Sequence, residues 1–193
     1  MQTGLAHAEA HAPAMDRTAL LAGISVRARA DLPSLVESID QDGLYPRQTM
    51  RALGQDGLFS AHLAGATMLA RPDLGAAIQA MAAVGAECMS TAFCTWCQDA
   101  SGWYLEHTAN TALRARLQPE IASGAVMAGT GMSNPLKTFS GIEGFKLKAK
   151  RADGGYVVSG VLPWVSNLGD GHWFGTVMQD ADDDAHQFFA MVQ

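Results

Sequence analysis

The period of the hydrophobic pattern changes once along this chain, near Ala125, and that change limits the fold more than any other feature. Before it, apolar residues recur at three and four, the spacing of a helix face. After it they alternate at two, the spacing of a strand. Helices first and strands second is not the alternation of β and α that builds a doubly wound sheet. The expected class is α+β, an amino-terminal helical bundle followed by antiparallel strands. No internal repeat is visible.

The helical part divides at its own punctuation. Asp31 is expected as an N-cap with Pro33 in the first turn, and Leu32, Leu35, Val36 and Ile39 form one stripe that Gly43 stops. Pro46 opens a second helix carrying Met50 and Leu53, closed by Gly54 and Gly57. Pro72 and Asp73 open a longer segment through Leu74, Ile78, Met81, Val84 and Cys88, with Glu87 the only charge between 74 and 98. A helix apolar on nearly all sides belongs inside a bundle or against a partner subunit. Another helix is expected near 111–117, with Pro119 interrupting it and Ser123-Gly124 ending it. Then Phe145, Leu147 and Ala149 alternate with Lys146, Lys148 and Lys150, a strand with one wet face. Asp153-Gly154-Gly155 turns it back into Tyr156-Val157-Val158, and further strands are expected at 173–178 and 188–192. The expected divisions are a loose leader over 1–30, a helical domain over 31–124, and the first part of a β domain over 125–193.

Composition narrows the classes. A chain with 48% hydrophobic and 17% charged residues is globular, and its net charge of −6 disfavours broad nucleic-acid binding. No apolar run is long enough to span a bilayer, and residues 1–14 lack the charged and apolar regions of a signal peptide. Three cysteines without an export signal imply reduced thiols in the cytoplasm. Cys94 and Cys97 form a C-x-x-C, but no second pair completes a zinc site and the motif lies inside a helical stretch, so packing is the expected role. His7 and His11 belong to the leader, and the acidic loop Asp180, Asp182, Asp183, Asp184 lacks the glycine and glutamate of an EF-hand, so no metal is expected. The chain stops at Gln193 directly after an apolar strand-like run, and further chain or another subunit is expected against that sheet.

Gly129-Thr130-Gly131 lacks the third glycine of a dinucleotide fingerprint, and Pro135 follows where a helix should begin. Two other stretches are more informative together. Ala128-Gly129-Thr130-Gly131-Met132-Ser133-Asn134-Pro135 and Leu162-Pro163-Trp164-Val165-Ser166-Asn167 both lie at strand ends and combine hydroxyls with exposed backbone. Trp164 offers a flat surface, and Ser133 and Ser166 can each donate and accept a hydrogen bond. These are parts for holding a planar, polar-edged cofactor. On the same residues alone, Trp164 reads equally as a core tryptophan and Ser133 as a turn former.

From 32 to 193 the chain resembles the acyl-CoA dehydrogenase family, which implies an amino-terminal helical bundle followed by an incomplete antiparallel β-barrel domain. Leu53-Gly54-Gln55-Asp56-Gly57-Leu58-Phe59 and Leu117-Gln118-Pro119-Glu120-Ile121-Ala122-Ser123-Gly124 are similar to early family motifs. Met132-Ser133-Asn134-Pro135 sits where the family has a Thr-Glu-Pro flavin loop, with Asn134 in place of the glutamate. Trp164-Val165-Ser166-Asn167 resembles its Trp-Ile-Thr-Asn motif. The resemblance implies FAD, with Thr130, Met132 and Ser133 at the ring edge, Trp164 and Val165 as cover, and Ser166 near N5. It implies an acyl-CoA-like substrate, with Ser140 as the one residue of Leu136-Lys137-Thr138-Phe139-Ser140-Gly141 that fits a substrate-binding element. The implied reaction is α,β-dehydrogenation of an acyl thioester in fatty acid metabolism, with electrons passed to an electron-transfer flavoprotein, in a homo- or hetero-oligomer. The family's second helical bundle, which carries the catalytic carboxylate in most members, has no counterpart here, so the catalytic base is unknown. The altered loop also admits a flavin-dependent monooxygenase served by a flavin reductase, and a non-catalytic partner subunit is the reading from a different class.

Overall fold

The computed structural model describes residues 14–193. His7 and His11, and all but the last residue of the 1–14 stretch, lie outside them. The expected leader over 1–30 ends earlier than its composition suggests, because α1 occupies Arg17–Asp31. Asp16 caps it, its carboxylate accepting from the backbone N–H of Thr18 at 2.9 Å and of Ala19 at 3.1 Å. Leu20, Ile24 and Ala28, four apart, form a narrow buried stripe. Asp31 therefore ends a helix instead of starting one, Leu32 is its buried C-cap, and the next helix, α2, is the short Val36–Gln41.

The remaining helices follow the punctuation with one break and one addition. Pro46 is the N-cap of α3, Arg47–Gln55, and a 3-10 turn follows at Leu58–Ser60. Asp73 caps α4, Leu74–Gly85, through the N–H of Ala76 at 2.9 Å. The apolar segment expected to continue to 98 breaks at Cys88, the extended N-cap of α5, Met89–Glu106. Asn110 caps α6, Thr111–Ala122, which tolerates Pro119 near its end. A core of Leu20, Ile24, Leu32, Met50, Leu53, Phe59 and Val84 joins α1, α3, α4 and the 3-10 turn.

The sheet follows. β1 is Ala128–Thr130, β2 Leu147–Ala152, β3 Gly155–Gly160, β4 Trp173–Asp180 and β5 Gln187–Val192. The sheet is mixed where antiparallel pairing was expected throughout. One edge of β4 runs parallel to β1 at Ala128↔Trp173 and to β2 at Lys148↔Gln179, while its other edge pairs antiparallel with β5. The β2–β3 hairpin turns at Asp153-Gly154 and is antiparallel. Gly160 is fixed by that register: its φ is +126°, and a Cβ there would stand 1.9 Å from the carbonyl of Lys146. A short helix, α7 (Ser133–Phe139), begins where none was expected, because Pro135 falls within its first turn, where a missing N–H costs nothing.

Candidate functional site

The two cofactor-like stretches meet. Thr130 and Ser166 exchange backbone hydrogen bonds at 3.1 and 3.0 Å, so the end of β1 and the loop at 162–167 form one ledge. Gly129 makes that approach possible, since a Cβ there would lie 1.9 Å from the Ser166 carbonyl oxygen. Asn167 turns the loop with φ +57°, and its side-chain amide donates to the Ala128 carbonyl at 2.7 Å. From below, Ser101 donates to the Gly129 carbonyl at 2.8 Å. From the sheet side, Gly131 N–H donates to Gly175 and Thr176 donates back to the Gly131 carbonyl.

Of the expected cofactor residues, Thr130 and Ser166 are brought into direct contact, Met132 and Ser133 follow Thr130 in the chain, and Trp164 and Val165 precede Ser166. Trp164 is 70% exposed, which removes the core-tryptophan alternative. Ser133 is exposed as the first residue of α7, so it is a helix residue and not a turn former. Thr130 is buried, and its hydroxyl bonds the Tyr104 hydroxyl at 2.8 Å. Ser140 stands apart, roughly 10 Å along α7 by helical rise, and its hydroxyl donates to the Leu136 carbonyl at 2.9 Å.

The floor of the ledge is protonated and neutral. Burial pushes the Cys97 thiol up to about 12, with Cys94 adding to the effect and a hydrogen bond to Ser166 opposing it. Burial likewise raises Cys94, Tyr45 and Tyr104. The arrangement is an exposed indole, two hydroxyls and free backbone over an uncharged base. It suits a planar ring with polar edges.

Two further residues, neither expected as a cofactor contact, build this site. Gln98, wholly buried, donates to the carbonyls of Ile121 and Val126 at 2.9 and 2.8 Å and accepts from Ala128 N–H at 2.7 Å, which ties α5, α6 and β1 together. Its signal was a polar side chain within an apolar helix. Asn134, where the family pattern has glutamate, donates to Glu143 and Gly144 and accepts from Lys146 N–H, all at 3.0 Å, and so holds the entry to β2.

Residues 16–125 match the acyl-CoA dehydrogenase N-terminal domain. No curated protein matches the chain. Among solved structures, butyryl-CoA dehydrogenase from Megasphaera elsdenii aligns with a TM-score of 0.79 at 15% identity, over 100% of this chain and 50% of that one. A glutaryl-CoA dehydrogenase from Mycobacterium smegmatis in complex with FADH2 aligns with 0.76 at 18%, over 92% and 45%. PigA with FAD and proline aligns with 0.75 at 12%, over 100% and 49%. The chain thus spans about half the length of the structures it matches, and at these identities the likeness is one of fold.

Proposed function

This chain belongs to the acyl-CoA dehydrogenase family, and from that premise we propose that the ledge at Thr130 and Ser166 holds the ring of FAD in a flavin-dependent oxidoreductase. The observation that carries the reading is the Thr130–Ser166 bridge, which joins the loop bearing Ser133 to the loop bearing Trp164. Trp164 and Val165 cover one face of the ring. The Ser166 hydroxyl, half-buried above the neutral Cys97 thiol, donates toward the ring near N5. Met132 and Ser133 offer backbone N–H and a hydroxyl to the ring edge, and Thr130 sets their position through Ser166 and Tyr104. FAD, when bound, supplies the hydride acceptor.

The substrate class is an acyl-CoA-like thioester and the reaction α,β-dehydrogenation, with Ser140 on the side of the acyl carrier and an electron-transfer flavoprotein as acceptor. The proposed setting is the cytoplasm, in fatty acid metabolism; among the described residues no helix is long and apolar enough to cross a membrane. An oligomer is supported by the exposed apolar side chains of Phe93, Trp96 and Ile78 along α4 and α5.

The test is to mix the purified chain with FAD, gel-filter it and record the visible spectrum. Flavin that co-elutes with a shifted, structured band is the expected result. Elution of all the flavin apart from a folded chain contradicts the reading.

A further inference from the structure

His172 stands five residues past Asn167, directly before β4, and its imidazole is buried. Its Nδ1 lies 2.9 Å from the backbone carbonyl of Asn167. A carbonyl only accepts, so Nδ1 carries a proton and donates it there. Among the described residues Nε2 has no partner, which makes this the one hydrogen bond of the ring. The backbone N–H of His172 donates to the Gly169 carbonyl at 3.0 Å and closes a turn. The next residue is fixed to the sheet, since Trp173 N–H donates to the Met127 carbonyl at 3.0 Å and Trp173 pairs with Ala128. The imidazole is therefore mounted on the sheet and reaches back across the turn to the ledge.

Asn167 needs such a hold. Its φ of +57° is one that a residue with a side chain seldom adopts, and it sets where Ser166, the residue before it, stands. Two contacts keep it there: its side-chain amide is tied to Ala128, and its main-chain carbonyl to His172. The ring of His172 is itself boxed in. A Cβ on Gly169 would come within 3.1 Å of its Cε1 and Nε2. The Tyr45 ring meets it edge-on, at 5.4 Å between centroids and 60°. Tyr45 packs against the core of the helical half, so His172 couples that core to the loop that carries Ser166.

We propose that His172 is a positioning residue of the ledge: its Nδ1–H holds Asn167 in the left-handed turn and so sets Ser166 against Thr130. The role belongs to one directed hydrogen bond and not to the bulk of the ring. That the positioned hydroxyl serves a flavin rests on the reading above; the positioning itself does not. Two substitutions separate the bond from the bulk. His172→Asn keeps an N–H donor at the place of Nδ1 and gives up Nε2, which bonds nothing. His172→Phe keeps a flat ring against Tyr45 and has no donor. If the ring mattered only as filling, the phenylalanine would serve and the asparagine would not.

The test reads amide hydrogen exchange at Thr130 and Ser166, whose N–H groups pair across the ledge, in the chain without flavin. His172→Phe is expected to speed exchange at both by at least about tenfold, while the core amides of α1 and α3 stay within about threefold. His172→Asn is expected to leave the ledge amides within about threefold of wild type. FAD affinity is expected to follow, at least about tenfold weaker in His172→Phe and within about threefold in His172→Asn. Wild-type exchange at the ledge of His172→Phe overturns the proposal. So does acceleration shared equally by the core amides, or acceleration as large in His172→Asn. Where the wild type binds FAD, unchanged affinity in His172→Phe overturns it as well. A wild-type chain that binds no FAD contradicts the flavin reading, and the exchange comparison still decides the role of His172. If His172→Phe does not fold, His172→Asn decides alone: protected ledge amides support the proposal and unprotected ones overturn it.

Discussion

The two halves of the molecule differ in how far they bury their apolar side chains. In the helical half, Ile24, Leu32, Leu53 and Phe59 are all wholly buried against one another. In the sheet half, all of β3 is exposed, with Val157 at 65%, and beyond it Val161 reaches 77% and Trp164 70%. The first half closes a core on itself and leaves Ile78, Phe93 and Trp96 outside that core. The second has a smaller core of Leu147, Ala149 and Met178, and its ledge is fixed by the Ser101 bond to Gly129 and the backbone exchange between Thr130 and Ser166. Burial gives stability in one half, and close approach gives position in the other.

The contrast is sharpest in large-to-small substitutions. Phe59→Ala, at a wholly buried position in the helical core, is expected to cost about 4 kcal/mol in chemical denaturation. Gly129→Ala removes no contact, yet its Cβ meets the Ser166 carbonyl, and a loss of about 3 kcal/mol is expected, with flavin retention lost as well. A near-silent Gly129→Ala would break the claim that backbone approach sets the ledge.

Asp99 and His62 give a pH test of the same body. Burial raises the Asp99 pKa above its ordinary 3.8, so this group's contribution to stability is full below that value and declines as pH rises from there. His62 is shifted down from 6.5, and its contribution is present above that value and declines as pH falls through it. Asp99→Asn is therefore expected to flatten the fall in stability with rising pH, by at most about 1.4 kcal/mol per pH unit, in urea titrations between pH 4 and 7 (about the range one carboxyl spans). An unchanged slope contradicts the assignment. The smallest effect belongs to the displayed half. Val157→Thr on β3 is expected to stay within about 0.5 kcal/mol in the same denaturation assay.

The sequence made some of this plain and concealed the rest for identifiable reasons. The change of period at Ala125, the caps at Pro46 and Asp73 and the turn at Asp153-Gly154 are local signals, and local hydrogen bonds honour them. The break at Cys88 was hidden because a thiol, not a hydroxyl or carboxylate, accepts from Thr91 N–H at the cap. The α1 helix was hidden because its buried stripe is only Leu20, Ile24 and Ala28 among exposed alanines and arginines. The parallel pairing of β4 with β1 and β2 joins residues more than thirty apart, and no local pattern encodes it. At the candidate site, motif order pointed to Trp164, Ser166 and Ser133. The residues that lock them, Gln98, Asn134 and Tyr104, act through long-range polar contacts that spacing does not reveal.

The central claim is that the ledge presents Trp164 to a flavin ring. Its most direct measurement is quenching of tryptophan fluorescence by FAD, comparing the wild-type chain and Trp164→Phe. Trp164 is one of four tryptophans and, at 70%, among the most exposed large apolar side chains of the described residues. The account predicts saturable quenching in the wild type and loss of most of it in the variant, with the fold retained by circular dichroism. Equal saturable quenching in both proteins would place the flavin elsewhere and contradict the account.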